Sequence, residues 1–394
     1  MNLNDARRRK RELSLAVGVK RKTFALFFES AMDRKKGRHQ FGVSAMFIGV
    51  TSLWYRNMIG VSINKDAYMN TRMKAAVINE YGSNDIVGIE EIDRPKPADG
   101  EILVKVHSAG VNPVDWKIRS GAGQRMGMTL PIHLGSEFAG TIEQLGSGVT
   151  GFGAGEAIYG MVHTGAFAEY VVVKAKNAAR VPSNLDLEEA AALPLSGTTA
   201  WQAMYDKADL VSGQRLFITN GSGSVGTLAV QLAKATGAHV TAMASGRNEE
   251  LVRSLGADEF VDYKTEPFDQ IIRGMDIVFD TVGGEIFQRA FHTLKKNGAM
   301  VTIVAFPADE SERFGVHVER SFTVPNAKAL EAITQLVEAG KVMPQIDSVF
   351  PFADIKKALE LSESGRSRGK IILRMAEWRH ITAYNSVYRI VQRG

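Results

Sequence analysis

The pattern of apolar and polar positions changes character several times along the chain. KAAVINEY (74–81) and EILVKVHSAGV (101–111) carry β-branched residues in partial alternation, which predicts half-buried strands. EFAGTIEQLG, GEAIYGMV and AFAEYVVV continue in that style to about residue 173, punctuated by glycine. Such a run predicts an antiparallel, barrel-like module. From about residue 195 the rhythm becomes strand then helix. LFITN is followed by a helix over 225–236, HVTAMA by a helix over 248–255, and EFVDY and DIVFDTV by a helix over 285–296 and then AMVTIVA. Strands and helices alternating at this spacing imply a parallel sheet wound on both faces. A helix-like ALEAITQLVEAGKV (329–342) then leads back to strand-like IDSVFPF and KIILRM. The expected fold is therefore α/β, a doubly wound parallel sheet beside an antiparallel β module.

Composition narrows the chemistry. Hydrophobic residues make up 45% of the 394, enough for one large core or two modest ones. The chain has no cysteine, which excludes disulfides, thiolate nucleophiles and every cysteine-ligated zinc site. That fits a reducing compartment. No secretory signal peptide is apparent, and a cytoplasmic location is expected.

Charge is unevenly placed. The net +5 divides into +10 on residues 1–72 and −5 on the remainder. The basic clusters RRRKR (7–11), VKRK (19–22) and DRKKGR (33–38) belong to this N-terminal extension. Its apolar run FGVSAMFIGVTSLWY (41–55) is shorter than the roughly 20 residues of a membrane helix, so no membrane partner is expected. Basic clusters attract nucleic acid, but nothing interleaves them as in a known binding module, and no nucleic-acid partner is expected either. Asp5, Glu12, Glu29 and Asp33 weigh against a transit peptide. The extension reads as a disordered or mis-assigned leader, with the folded body starting near Met73. Residues 377–394 read as an irregular tail.

The segment TNGSGSVGTLAVQLAKAT (219–236) places Gly221, Gly223 and Gly226 between a strand and a helix that ends at Gly237. Glycines there allow a tight turn and let the backbone N–H groups of Ser222, Ser224 and Val225 approach a pyrophosphate at the helix N-terminus. This spacing, in this context, predicts a dinucleotide site. An NAD-preferring site usually places Asp or Glu about 20 residues further on, against the ribose 2′-hydroxyl. This chain instead offers Ser245 and Arg247, which suit a 2′-phosphate, so NADP(H) is the expected cofactor. Glu249 and Glu250 fall where the first turn of a following helix uses acids. Tyr263 reads either as a neighbour of the adenine end or as a plain strand-edge tyrosine.

These segments, together with AGVNPVDWKIRSG (109–121), LGSEFAGT (134–141), GAFAEYVVV (165–173), AAALPLSGTTAWQAM (190–204), LGADEFVDY (255–263) and GKIIL (369–373), carry a family likeness. The chain resembles the zinc-independent quinone oxidoreductase (zeta-crystallin-like) branch of the medium-chain dehydrogenase/reductase superfamily over about 73–375. The resemblance implies a GroES-like catalytic domain (73–194 and 340–376) split around a Rossmann domain (195–339), and a homodimer. Ser224 stands where a glycine is common, and Trp116 where some relatives carry tyrosine.

Zinc members of that superfamily use Cys and His-Glu ligands. The corresponding positions here are Asn112 and Ser136-Glu137, and the eight histidines show no pair spaced on one helix face. Without such ligands, a quinone or α,β-unsaturated carbonyl is the expected acceptor. Hydride arrival then gives a delocalised phenolate or enolate, and one or two donors, each about 3 kcal/mol in a favourable site, suffice. Asn112, in a turn before Pro113, is the candidate catalytic donor to the nicotinamide carboxamide or the acceptor oxygen; it also reads as a plain turn residue. Thr198 reads equally as a cofactor contact or a helix cap. Asp115 and Lys117 read as paired or solvent-facing. Asp280, ending a strand before TVGG, reads as ordering the loop that faces the nicotinamide ribose. Three alternatives stay open: an enoyl-thioester reductase, a 2-alkenal reductase, and a non-catalytic NADPH-binding sensor or scaffold.

Overall fold

The computed structural model describes residues 71–375. The expectations for the extension up to residue 70 and for the tail lie outside the described residues. Strand β1 (Arg72–Ile78) pairs antiparallel with β2 (Gly88–Asp93). Strands β3 (Glu101–Val111), β4 (Ile132–His133), β5 (Glu137–Leu145), β6 (Ala157–Met161), β7 (Tyr170–Lys174) and β8 (Ala178–Arg180) follow. The next six are β9 (Arg215–Ile218), β10 (His239–Ala244), β11 (Glu259–Asp262), β12 (Met275–Asp280), β13 (Leu294–Thr302) and β14 (His317–Arg320). They form one sheet, ordered β11-β10-β9-β12-β13-β14, in which every described pairing is parallel.

The last two strands join the antiparallel sheet of β3, which is separate from the three-stranded sheet β2-β1-β4. β15 (Ile346–Pro351) pairs with β16 (Lys370–Arg374), and β16 runs antiparallel to β3 in the order β15-β16-β3-β5-β6-β8. The β module thus draws on sequence from both sides of the parallel sheet. Its core holds Ile102, Val104, Phe138, Ile158, Phe167 and Leu373, while the parallel sheet buries Leu216, Ile218, Val240, Ile277 and Phe279.

Six helices matter for the site: α1 (Pro113–Lys117), α2 (Pro194–Trp201), α3 (Ser224–Thr236), α4 (Glu249–Ser254), α5 (Gly284–Ala290) and α6 (Ala327–Glu338). Helix α3 buries Leu228, Ala229, Val230, Leu232 and Ala233 and stops at Gly237, whose φ of 90° is left-handed. Two predicted helices are too long. The one over 285–296 ends at Ala290, because β13 already begins at Leu294 and Asn297 takes a left-handed φ of 59°. The one over 329–342 starts earlier, where the Asn326 side chain accepts from the Lys328 and Ala329 amides, and ends at Glu338, ahead of left-handed Gly340.

Candidate active site

The glycine loop connects β9 to α3, with Gly223 as the N-cap residue. Having no side chain, Gly223 makes no cap bond, and the first amides of α3 are left for another acceptor. A Cβ on Gly226 would lie 1.8 Å from the Asn220 carbonyl oxygen, and one on Gly221 would lie 2.9 Å from the Ala242 Cβ. The loop is therefore pressed against α3 and β10 so closely that only hydrogen fits at 226. This cradle and its uncapped amides fit a pyrophosphate.

The loop is fixed at both ends. The Gly221 amide donates to the Met243 carbonyl (2.9 Å), and Asn248 Nδ2 donates to the hydroxyls of Ser222 (2.9 Å) and Ser245 (3.2 Å). Asn248 Oδ1 is buried without a partner among the described residues. Sequence reasoning passed over Asn248, since an Asn after a strand reads as an ordinary cap. Arg247 is exposed and forms no ion pair among the described residues, and Tyr263 stands exposed just past β11. Asp262 lies against Gly246 and accepts from the Lys264 amide (3.0 Å).

Across the sheet, Asp280 gathers four donors. Its Oδ1 accepts from the Thr219 hydroxyl (3.2 Å) and the amides of Val282 (3.1 Å) and Gly283 (3.0 Å), and its Oδ2 accepts from the Thr302 hydroxyl (2.7 Å). It orders the turn after β12 and ties β9, β12 and β13 together at their carboxyl ends, where open α/β sheets bind ligands.

A buried charge cluster lies in the β module. Lys370 forms an ion pair with Glu137, and both side chains are at most 2% exposed. Lys370 Nζ also donates to Asn112 Oδ1 (2.6 Å) and the Ser196 hydroxyl (3.0 Å). Glu137 further accepts from the Leu195 amide (2.6 Å) and from Asn112 Nδ2 (2.7 Å). Asn112 Nδ2 donates as well to the Gly110 carbonyl (3.1 Å). Both amide N–H bonds of Asn112 are thus taken, and in this conformation it offers neither to an acceptor. A Cβ on Gly110 would lie 2.3 Å from Glu137 Oε1, so glycine makes room for the pair.

Of the two residues that read as paired or solvent-facing, Lys117 is exposed, whereas Asp115 neither faces solvent nor forms an ion pair among the described residues. It is fully buried, accepts from the Asn112 amide (2.8 Å) and closes a capping box at the start of α1. Burial pushes its carboxyl up to about 7; the Asn112 amide opposes this, and nearby Glu137 adds to it. The folded protein thus binds this proton more tightly than the unfolded chain does. Stability from this site is present below about pH 4 and falls as pH rises toward 7, by on the order of a few kcal/mol. Asp115→Asn should flatten that slope in urea unfolding measured from pH 4 to 7; an unchanged slope would show that another group causes it.

Thr198 lies inside α2 rather than at its start, and its fully buried hydroxyl has no hydrogen-bond partner among the described residues. The zinc positions do not fit a metal either. Among the described residues no group of three or more His, Asp or Glu side chains comes together as ligands, and the Lys370 ammonium already balances Glu137.

Comparison with known proteins agrees with this architecture. Residues 98–183 match the model of the alcohol dehydrogenase GroES-like domain, and residues 255–373 match that of the zinc-binding dehydrogenases. The zebrafish (Danio rerio) protein named NAD(P)H oxidoreductase RTN4IP1, mitochondrial, is 32% identical, covering 80% of this chain and 95% of that protein. The Arabidopsis thaliana NADPH-dependent alkenal/one oxidoreductase, chloroplastic, is 32% identical over 84% of this chain and 87% of its own length. The solved quinone oxidoreductase of Coxiella burnetii superposes with a TM-score of 0.73 at 30% identity, covering 77% of this chain and all of that one. With its parallel sheet inserted in a GroES-like module, its glycine cradle and its lysine-balanced glutamate, the chain belongs to the medium-chain dehydrogenase/reductase superfamily, in the zinc-independent quinone oxidoreductase branch.

Proposed function

We propose that the protein is an NADPH-dependent oxidoreductase that delivers hydride, without a metal, to a quinone or an α,β-unsaturated carbonyl. One observation carries the reading. The Gly369 amide donates to the Ser222 carbonyl (3.0 Å), and the next residue, Lys370, ends in the Glu137–Asn112 cluster. The phosphate loop and the polar heart of the β module are thus joined through one dipeptide. NADP(H), when bound, supplies the hydride.

In this reading the backbone of Gly221, Ser222, Gly223, Ser224, Val225 and Gly226 holds the pyrophosphate, and Ser245 and Arg247 hold the 2′-phosphate. Tyr263 flanks the adenine end, and Asp280 shapes the wall beside the nicotinamide ribose. Asn112 and Lys370 act as positioning residues beneath the reacting groups. The body divides into residues 73–194 with 340–376 and residues 195–339, a division supported by the return of β15 and β16 to the sheet of β3 after the parallel sheet.

Turnover tests the proposal. NADPH should be oxidised by 1,4-naphthoquinone or an alk-3-en-2-one after exhaustive chelation; binding of NADPH with no turnover of either would favour a sensor. NADPH should bind at least tenfold more tightly than NADH, about 1.4 kcal/mol. Arg247→Ala should remove most of that preference while leaving NADH affinity nearly unchanged, and equal affinities in the parent protein would sink the 2′-phosphate assignment. No helix among the described residues is long and apolar enough to cross a membrane. For location we retain the cytoplasmic reading, and for assembly a homodimer. Fractionation and light scattering check these. Recovery of a shortened form in an organelle fraction would replace the first, and a monomeric mass the second.

A further inference from the structure

Beyond the nicotinamide side of the sheet stands a cation that the proposed mechanism does not use. Arg320 ends β14, in register with Thr302 on β13, which is itself in register with Asp280 on β12. It therefore extends the row of side chains at the carboxyl ends of the strands by one place. Its Nη1 donates to the Ala305 carbonyl (3.0 Å), its Nε is buried without a partner, and it forms no ion pair among the described residues. The neighbouring acid, Glu319, is engaged by Lys207 and His317, and Asp280 is taken by its four donors. Burial lowers the affinity of Arg320 for its proton, the direction expected of a cation without a counter-charge.

Two phenyl rings flank the guanidinium. Its central carbon lies 3.5 Å from the ring centroid of Phe306 and 4.6 Å from that of Phe322. Yet these rings are 78% and 65% exposed, and Val324, just after Phe322 in the chain, is exposed as well. Large apolar side chains left open beside a partly buried, unpaired cation suit a ligand with a flat hydrophobic body and a negative group. The segment also reaches back toward the domain junction, since the Thr323 hydroxyl bonds that of Thr199 (2.7 Å) on α2.

Resting on the quinone or enone reading, we propose that Phe306, Phe322 and Arg320 form an acceptor subsite, and that the preferred acceptors are conjugated, planar molecules bearing a carboxylate or sulfonate. The rings take the conjugated face, and the guanidinium takes the anion. A matched pair tests this: 1,4-naphthoquinone and its 2-sulfonate, at saturating NADPH. Arg320→Met should lower kcat/KM for the sulfonate at least tenfold more than for the neutral quinone, and Arg320→Lys should fall between. NADPH affinity checks that both variants are folded.

Equal losses for the two acceptors would overturn the subsite. So would an unchanged ratio accompanied by a change in molar mass on light scattering, which would place the three side chains in a contact between copies. Should the parent protein turn over neither quinone, the underlying reading fails separately. Calorimetric titration of 2-naphthalenesulfonate into the NADP⁺-loaded protein then decides the subsite: binding lost in Arg320→Met supports it, and no binding to the parent protein refutes it.

Discussion

Lys370→Met will destabilise the protein by about 3–5 kcal/mol at pH 7, because it leaves Glu137 charged and buried with its ammonium gone. Glu137 has no exposure to water, and its remaining partners are one backbone amide and the Asn112 side chain. Two hydrogen bonds do not replace a counter-ion. The stranded carboxylate can take up a proton instead, so the loss should shrink as the pH is lowered. Adding Glu137→Gln should recover much of the stability, since an uncharged pair of similar size removes the uncompensated charge. Urea unfolding of the two single variants and the double variant gives the coupling directly. A Lys370→Met protein within 1 kcal/mol of the parent at pH 7 would show that the pair does not hold the module together.

The second large effect belongs to Gly226→Ala. The added methyl would meet backbone rather than a side chain: the Asn220 oxygen at 1.8 Å and carbon at 2.8 Å, and the Gly221 carbon at 3.0 Å. Backbone cannot rotate aside, so either α3 moves away from the loop or the loop loses its shape. NADPH affinity should fall at least a hundredfold, about 2.8 kcal/mol, in protein that is still folded at low temperature. Gly88→Ala serves as the comparison, because a Cβ there meets nothing closer than 3.4 Å. Equal NADPH affinity in Gly226→Ala and the parent protein, by fluorescence titration, would mean that the dinucleotide binds elsewhere.

The two halves of the site differed in how far the sequence revealed them. The phosphate loop is local: strand, three glycines and helix follow one another within about 20 residues, so spacing alone points to it. The sheet strands HVTAMA and EILVKVHSAGV match β10 and β3 residue for residue, because buried β-branched runs carry their own signal. The charge cluster is the opposite case. Asn112 and Lys370 are 258 residues apart and meet only because β16 returns to lie against β3. In sequence Lys370 is one polar residue at a strand edge, and Asn112 a turn residue. Asp115 misled for the same reason, since a lone Asp in a short helix gives no sign that the packing around it excludes water. Arg320 likewise reads as a strand-end arginine until Phe306 and Phe322 are seen on either side of it.

Isotope transfer tests the central claim most directly. The chelated, metal-depleted protein is given NADPH carrying deuterium on the transferable face of nicotinamide C4, together with an alk-3-en-2-one, and the ketone product is read by mass spectrometry. The account predicts one deuterium per product at the β-carbon, with NADPH at least tenfold more effective than NADH in kcat/KM. Product without deuterium, or turnover that appears only when zinc is restored, would contradict it.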